Sequence, residues 1–139
     1  MRKQVILDTG PLVALLNRRD RYHRWATNRW AEIAPPMFTC EAVLAEACFL
    51  VKSFKGEHTT VLEMVRRSVL DLPFHLADEA TPVSRLLSKY RDVPMSLADG
   101  CLVRMAEMYP ESAVFTLDRD FKLYRKNRIQ RIPTLSPSI

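Results

Sequence analysis

Two short apolar runs in this chain end in an aspartate and pass at once into a helix start. Val5-Ile6-Leu7 ends at Asp8 and is followed by Thr9-Gly10-Pro11; Ala113-Val114-Phe115-Thr116-Leu117 ends at Asp118 and is followed by Arg119-Asp120-Phe121. A continuous, β-branched run predicts a strand buried on both faces, the kind found in parallel sheets, and Pro11 suits the first turn of a helix. In open parallel sheets the crevice at the strand carboxyl ends is where ligands bind, and both aspartates fall there.

The rest of the chain repeats the alternation. Strands are expected at Lys3–Asp8, Met37–Thr39, Val69–Leu76, Ala113–Leu117 and Arg131–Leu135. Pro73 places the third of these near a sheet edge. Helices are expected at Gly10–Asn17, Arg21–Ile33, Cys40 to about Phe54, His58–Ser68, Ala77–Tyr90, Ser96–Tyr109 and Arg119–Arg125, with Thr39 as the cap of the third. Pro82 falls in the first turns of its helix or kinks it. The pattern predicts an α/β fold, a three-layer α/β/α sandwich with a mostly parallel central sheet. No repeat or linker divides the 139 residues, so one domain spanning 1–139 is expected, with a loose tail over Pro133–Ile139.

Composition excludes several classes. Only three glycines are present, and no glycine-rich phosphate loop can be read. No apolar run approaches the ~20 residues of a membrane span. The basic start Met1-Arg2-Lys3-Gln4 precedes an apolar run too short for a signal peptide. Cys40, Cys48 and Cys101 lie in apolar helical patterns without a C-x-x-C pair and read as reduced core thiols of a cytoplasmic protein. The net charge of +5 favours a polyanionic partner. Basic residues cluster at Arg18, Arg19, Arg21 and Arg24, at Arg66-Arg67, and at Lys122, Arg125, Lys126, Arg128 and Arg131; solvated helix faces explain each cluster equally well.

Four carboxylates interrupt apolar surroundings: Asp8, Glu46, Asp99 and Asp118. A buried carboxylate must neutralise or find a positive partner. Capping accounts for Asp8 at the helix after it, for Asp99 through the capping-box pattern Ser96-Leu97-Ala98-Asp99, and for Asp118 through the amides of Asp120 and Phe121. Glu46 has no such account. On a helical wheel it points away from the polar side set by Glu41, Ala45, Cys48, Lys52 and Lys55, towards Ala42, Val43, Phe49 and Leu50, so a solvated position is not expected. A buried ion pair to an arginine is the remaining structural reading. Thr116, two residues before Asp118, shares its strand face and can hydrogen-bond the same ligand. A divalent cation shared by all four carboxylates explains them together. Oxygen-only ligands select Mg²⁺ or Mn²⁺, and one or two such ions can activate water at a phosphodiester.

The pieces Val5-Ile6-Leu7-Asp8-Thr9-Gly10-Pro11-Leu12, Val43-Leu44-Ala45-Glu46-Ala47, Ser96-Leu97-Ala98-Asp99-Gly100 and Thr116-Leu117-Asp118-Arg119-Asp120-Phe121 stand in an order and spacing that resembles the PIN-domain ribonucleases, and among them the VapC-like toxins of bacterial toxin–antitoxin pairs. The resemblance implies hydrolysis of RNA at an acidic Mg²⁺ or Mn²⁺ site formed by Asp8, Glu46, Asp99 and Asp118, assisted by Thr116. Thr9 and Asp120 would support those ligands. It also implies an antitoxin protein partner, a homodimer, and no membrane association. Residues 58–90 carry none of the family's motifs. The stripe of Trp25 and Trp30 reads as core packing, and His23 as structural.

Three rivals are weaker. A haloacid-dehalogenase-type phosphatase needs a second aspartate where Gly10 stands. A receiver domain needs a paired acidic loop near Asp8 and a late strand lysine. A catalytically inactive PIN-like module that binds RNA or protein would be separated from a nuclease by magnesium-dependent RNA cleavage.

Overall fold

A computed structural model describes residues 3–137. Met1 and Arg2 of the basic start, and the last two residues of the expected tail, lie outside the described residues. Five parallel strands form the central sheet: β1 (Gln4–Leu7), β2 (Met37–Phe38), β3 (Leu70–Asp71), β4 (Ser112–Phe115) and β7 (Thr134–Leu135), in the order β3-β2-β1-β4-β7. β5 (Arg125–Lys126) and β6 (Gln130–Arg131) pair antiparallel as a separate ribbon. Six helices flank the sheet: α1 (Thr9–Leu16), α2 (His23–Ala31), α3 (Glu41–Val51), α4 (Glu57–Arg66), α5 (Leu76–Lys89) and α6 (Leu97–Met108).

Alternation along the strands divides the core. Val5 and Leu7 of β1 and Phe115 of β4 face one cluster, with Leu12 of α1, Leu44 and Ala47 of α3 and Val61 of α4. Ile6 and Val114 face the other, with Val83 and Leu86 of α5 and Leu102, Val103 and Met105 of α6. The α/β/α layering therefore follows from two strands that are apolar on both sides. Trp25 and Trp30 pack on Phe115, with ring centroids 5.5 and 5.9 Å away, so the tryptophan stripe is core packing. His23 Nδ1 lies 2.7 Å from the carbonyl of Ala14 and ties α2 to α1, a structural role.

Several expected elements differ. The strand expected over Val69–Leu76 is paired only at Leu70–Asp71, on the sheet edge, because Pro73 cannot extend the ladder. Pro82 sits inside α5, not in its first turn. The helix expected over Arg119–Arg125 is a single 3₁₀ turn, Arg119–Lys122, and Arg125 begins β5 instead. The last strand is Thr134–Leu135, so the tail expected to be loose is paired with β4 through Leu135. Thr39 does not cap α3; its hydroxyl donates to the carbonyl of Leu7 at 2.8 Å and fastens the chain after β2 to the end of β1. Lys126, expected among solvated cations, is buried, with Nζ donating to the carbonyl of Pro110 at 3.3 Å. Cys40 and Cys101 are buried, Cys48 is half-buried, and all three are free thiols. Among the described residues no helix is long and apolar enough to cross a membrane.

Candidate active site

The parallel register of β1 and β4 pairs Leu7 with Phe115, so the residues that follow them, Asp8 and Thr116, meet at the strand ends. The Asp8 amide donates to the carbonyl of Phe115 at 3.0 Å. The Thr116 hydroxyl donates to Asp8 Oδ2 at 2.7 Å and accepts from the Asp118 amide at 2.9 Å. One hydroxyl thus links the two aspartates and fixes the turn that carries Asp118. Asp8 Oδ1 accepts from the amide of Thr9 at 2.7 Å as the N-cap of α1, and Asp118 Oδ1 accepts from the amide of Asp120 at 2.8 Å. The caps on the Thr9 and Asp120 amides therefore form, while the Phe121 amide donates to the Asp118 backbone carbonyl instead, and among the described residues Asp118 Oδ2 has no protein donor. Gly10 packs closely beside this turn: a Cβ there would lie 3.1 Å from Cβ of Leu117, which would have to give way slightly.

Asp99 arrives from the other side, at the third position of α6. Its backbone amide donates to Ser96 Oγ at 3.0 Å, and its Oδ2 accepts from the Ser96 amide at 3.3 Å, a complete capping box. Oδ2 also accepts from the hydroxyl of Tyr124 at 3.1 Å. Both bonds to the carboxylate use Oδ2, so Oδ1 has no protein partner among the described residues. Tyr124 is fully buried and was not anticipated as a site residue. Its only signal in the sequence is an aromatic three positions after Phe121, which reads as core.

Glu46 corrects an expectation. It lies on the exposed side of α3, together with Ala45, Phe49 and Leu50. The wheel put the wrong side inward: Val43, Leu44, Ala47 and Val51 are the residues that pack. Phe49 and Leu50 are 63% and 52% exposed, so an apolar neighbourhood here does not mean burial. No arginine pairs with Glu46 among the described residues. Its Oε1 accepts from the Thr9 hydroxyl at 2.7 Å, which links it to the residue after Asp8.

The four carboxylates line one open cleft of about 450 Å³, with Thr9, Gly10, Leu50, Ser96 and Leu117. It lies at the carboxyl ends of β1 and β4. A larger hollow of about 730 Å³ at the opposite strand ends, between Val5, Pro35, Tyr109 and Glu111, brings no comparable carboxylate cluster together. Asp120 is half-buried and serves the site through its amide. Burial pushes the Asp8 carboxyl from 3.8 up to about 6, against the lowering effect of the Thr116 and Thr9 bonds, and the Asp99 and Asp118 charges raise it further. Asp99 is raised by burial too, again opposed by its hydrogen bonds. Two carboxyls held up in this way are short of positive charge.

The donor set fits a hard divalent cation. Among the described residues no three acidic, histidine or cysteine side chains stand close enough together to hold a metal ion between them. Mg²⁺ does not demand three: it keeps several waters and uses one or two carboxylates. The oxygens left without protein donors, Asp99 Oδ1 and Asp118 Oδ2, belong to residues lining the same cleft. Removing the Tyr124 hydroxyl should test how far orientation of Asp99 matters. Tyr124→Phe is expected to weaken Mn²⁺ binding by roughly tenfold or more, the usual cost of losing a hydrogen bond to a ligating group. Calorimetric titration of Mn²⁺ into wild type and variant measures this; equal affinities would show that Asp99 is oriented by its helix alone.

Sequence comparison now places the chain. The PIN domain profile matches residues 5–127, and the chain belongs to the PIN-domain family. Within it, the chain is VapC-like. It is 26% identical over 117 residues to the protein named ribonuclease VapC26 of Mycobacterium tuberculosis, covering 83% of this chain and 87% of that one. By structure it is similar to M. tuberculosis VapC20, described as a sarcin-ricin loop cleaving toxin, with a TM-score of 0.78 at 20% identity over 86% of this chain and 94% of that one. It is also similar to a chain of VapBC2 from Rickettsia felis, solved bound to a DNA fragment from its promoter, with a TM-score of 0.62 at 16% identity over 96% and 98% of the two chains. These last two likenesses speak for the fold.

Proposed function

We propose that this protein is a divalent-metal-dependent endoribonuclease, the toxin of a toxin–antitoxin pair, built as one PIN-like domain over residues 1–139. The observation that carries the proposal is the convergence of Asp8, Glu46, Asp99 and Asp118 on one cleft, with Thr116 tying Asp8 to Asp118. The relatives' described activities support the same reading. Asp8, Asp99, Asp118 and Glu46 would hold one or two Mg²⁺ or Mn²⁺ ions, which supply Lewis acidity at the phosphate and lower the pKa of the attacking water.

The chain's own residues do the positioning. Thr116 holds Asp8 with its hydroxyl and the Asp118 turn with its oxygen, so the two aspartates keep a fixed separation. Thr9 orients Glu46 from a helix start that cannot move without Asp8. Ser96 and Tyr124 hold Asp99 by one oxygen and leave the other for the cleft. Because water is the nucleophile in this scheme, the RNA 2′-hydroxyl takes no part and no 2′,3′-cyclic phosphate forms; with the 3′-oxygen as the leaving group, the cut should leave 5′-phosphate and 3′-hydroxyl ends. No histidine lines the cleft, which agrees with a mechanism that needs no imidazole base.

An antitoxin, a homodimer and a cytoplasmic location belong to the same proposal. The solved VapBC2 complex supports an antitoxin partner, and the exposed Phe49, Leu50 and Leu62 on α3 and α4 give an apolar surface beside the cleft for a protein to cover. Cleavage of RNA by the purified protein, with Mg²⁺ present or chelated, tests the function.

A further inference from the structure

A second, smaller cavity abuts the acidic cleft. It measures about 50 Å³ and shares Leu117 and Asp118 with the cleft as a common wall. Its other lining includes Tyr22, Arg119, Lys122, Thr134 and Ser136. Arg119 and Lys122 form no ion pair among the described residues, although Asp118 and Asp120 lie within a few positions of them in sequence. The guanidinium of Arg21 lies over the Tyr22 ring, 5.2 Å from its centroid, outside the cavity lining itself. Thr134 Oγ1 and Ser136 Oγ are 3.4 Å apart, a long contact that leaves both hydroxyls able to serve another acceptor.

We propose that this cavity is a phosphate-binding subsite, formed by Arg119, Lys122, Tyr22, Thr134 and Ser136, that holds the RNA backbone phosphate next to the one being cut. The inference rests on the nuclease reading above. Its volume is that of about two waters, too small for a nucleobase but sufficient for the exposed oxygens of one phosphate. Two unpaired cations and two hydroxyls joined only by a long mutual contact match those oxygens. The cleft on the other side of Asp118 is acidic and repels a polyanion without its metal. A ligand that occupies both cavities must carry anionic groups in series along a chain, and a polynucleotide does so. Asp118, braced by the amide of Asp120, would then be the divider that sets the distance between held and scissile phosphates.

The probe is a fluorescein-labelled, ten-nucleotide oligouridylate, bound by Asp99→Asn protein in Mg²⁺ and followed by anisotropy from 50 to 200 mM salt. Adding Arg119→Ala and Lys122→Ala should weaken binding by about tenfold and reduce the slope of log affinity against log salt by about 0.7, the loss of one single-strand phosphate contact. Arg85→Ala with Arg91→Ala, the same charge change at exposed positions on α5 and just beyond its end, should leave the slope intact. In the otherwise wild-type enzyme, the Arg119 and Lys122 substitutions should raise KM with kcat nearly unchanged. An unchanged slope, or an equal loss in the α5 pair, overturns the subsite. So does displacement of the probe by an acidic peptide but not by unlabelled oligouridylate. If the slope falls as expected but wild-type protein cuts no RNA, the nuclease reading fails and the subsite stands.

Discussion

Asp99→Asn should abolish RNA cleavage and leave the fold in place. Its rate is expected to drop roughly a thousandfold, about 4 kcal/mol of transition-state stabilisation, the scale of one lost contact to a catalytic metal. The reason is the division of labour between its two oxygens. Oδ2 serves the Ser96 amide and the Tyr124 hydroxyl, and the oxygen of an asparagine can accept both bonds. The capping box should survive, and thermal melting should move by only a few degrees. What the substitution removes is the anionic oxygen without a protein partner. Full Mg²⁺-dependent activity in Asp99→Asn would remove Asp99 from the site; an unfolded variant would make its role structural.

Asp8→Asn should also lose activity, and its metal-free stability relative to wild type is expected to rise with pH. Asp8 is 6% exposed, and burial lifts its carboxyl from 3.8 to about 6. The sign follows from where the proton sits. Below pH ~4 the carboxyl is protonated in both folded and unfolded chains and costs nothing. Between ~4 and ~6 the unfolded chain ionises first, and above ~6 the folded protein carries a buried charge. The full cost corresponds to about 3 kcal/mol, lost progressively as pH rises through that window. Asparagine has no such charge, but its side chain can accept only one of the two bonds that Asp8 accepts, from the Thr9 amide and the Thr116 hydroxyl. The lost bond is a fixed cost, so in chelator the melting temperature of the variant relative to wild type should rise by roughly 3–10 °C between pH 4 and pH 8. Saturating Mn²⁺ at pH 8 should cancel that gain, because it stabilises the wild type more. A difference that does not change between pH 4 and pH 8 would mean that the Asp8 charge is repaid by the protein itself.

The same comparison bears on Glu46. Being exposed, it carries no folding cost, so Glu46→Gln is not expected to unfold the protein. Its effect should appear only as a smaller Mn²⁺-induced rise in melting temperature.

The fold was legible because its signals were local. Two apolar runs buried on both faces demanded a sandwiched parallel sheet, and Pro11, Gly10 and the Ser96–Asp99 pattern marked helix starts that formed as read. The boundaries that failed were those set by distant partners. The ribbon of β5 and β6 exists because Arg125 and Lys126 meet Arg131 and Gln130 across a turn, which no periodicity reveals. Thr39 looked like a cap and became a brace on Leu7, since β2 ends beside β1.

The gathering of the four carboxylates was legible, and their burial was misread. Asp8 and Asp99 are buried as expected, whereas Asp118 is half-buried and Glu46 is exposed. The wheel argument failed because α3 presents Phe49 and Leu50 to solvent, so hydrophobic neighbours no longer marked the inner face. The conclusion that the four share a cleft survives for a different reason: strand register and two helix starts bring them together. Tyr124 was invisible because a buried tyrosine reads as core until its hydroxyl partner is known.

The account stands most directly on the products of one reaction. Purified wild-type protein is incubated with single-stranded RNA in Mg²⁺ and, in parallel, in chelator, and the new termini are identified. Cleavage in Mg²⁺ alone, leaving 5′-phosphate and 3′-hydroxyl ends, is the predicted result. Cleavage that persists in chelator, or that leaves 2′,3′-cyclic phosphates, would contradict a metal-held water at the cleft of Asp8, Glu46, Asp99 and Asp118.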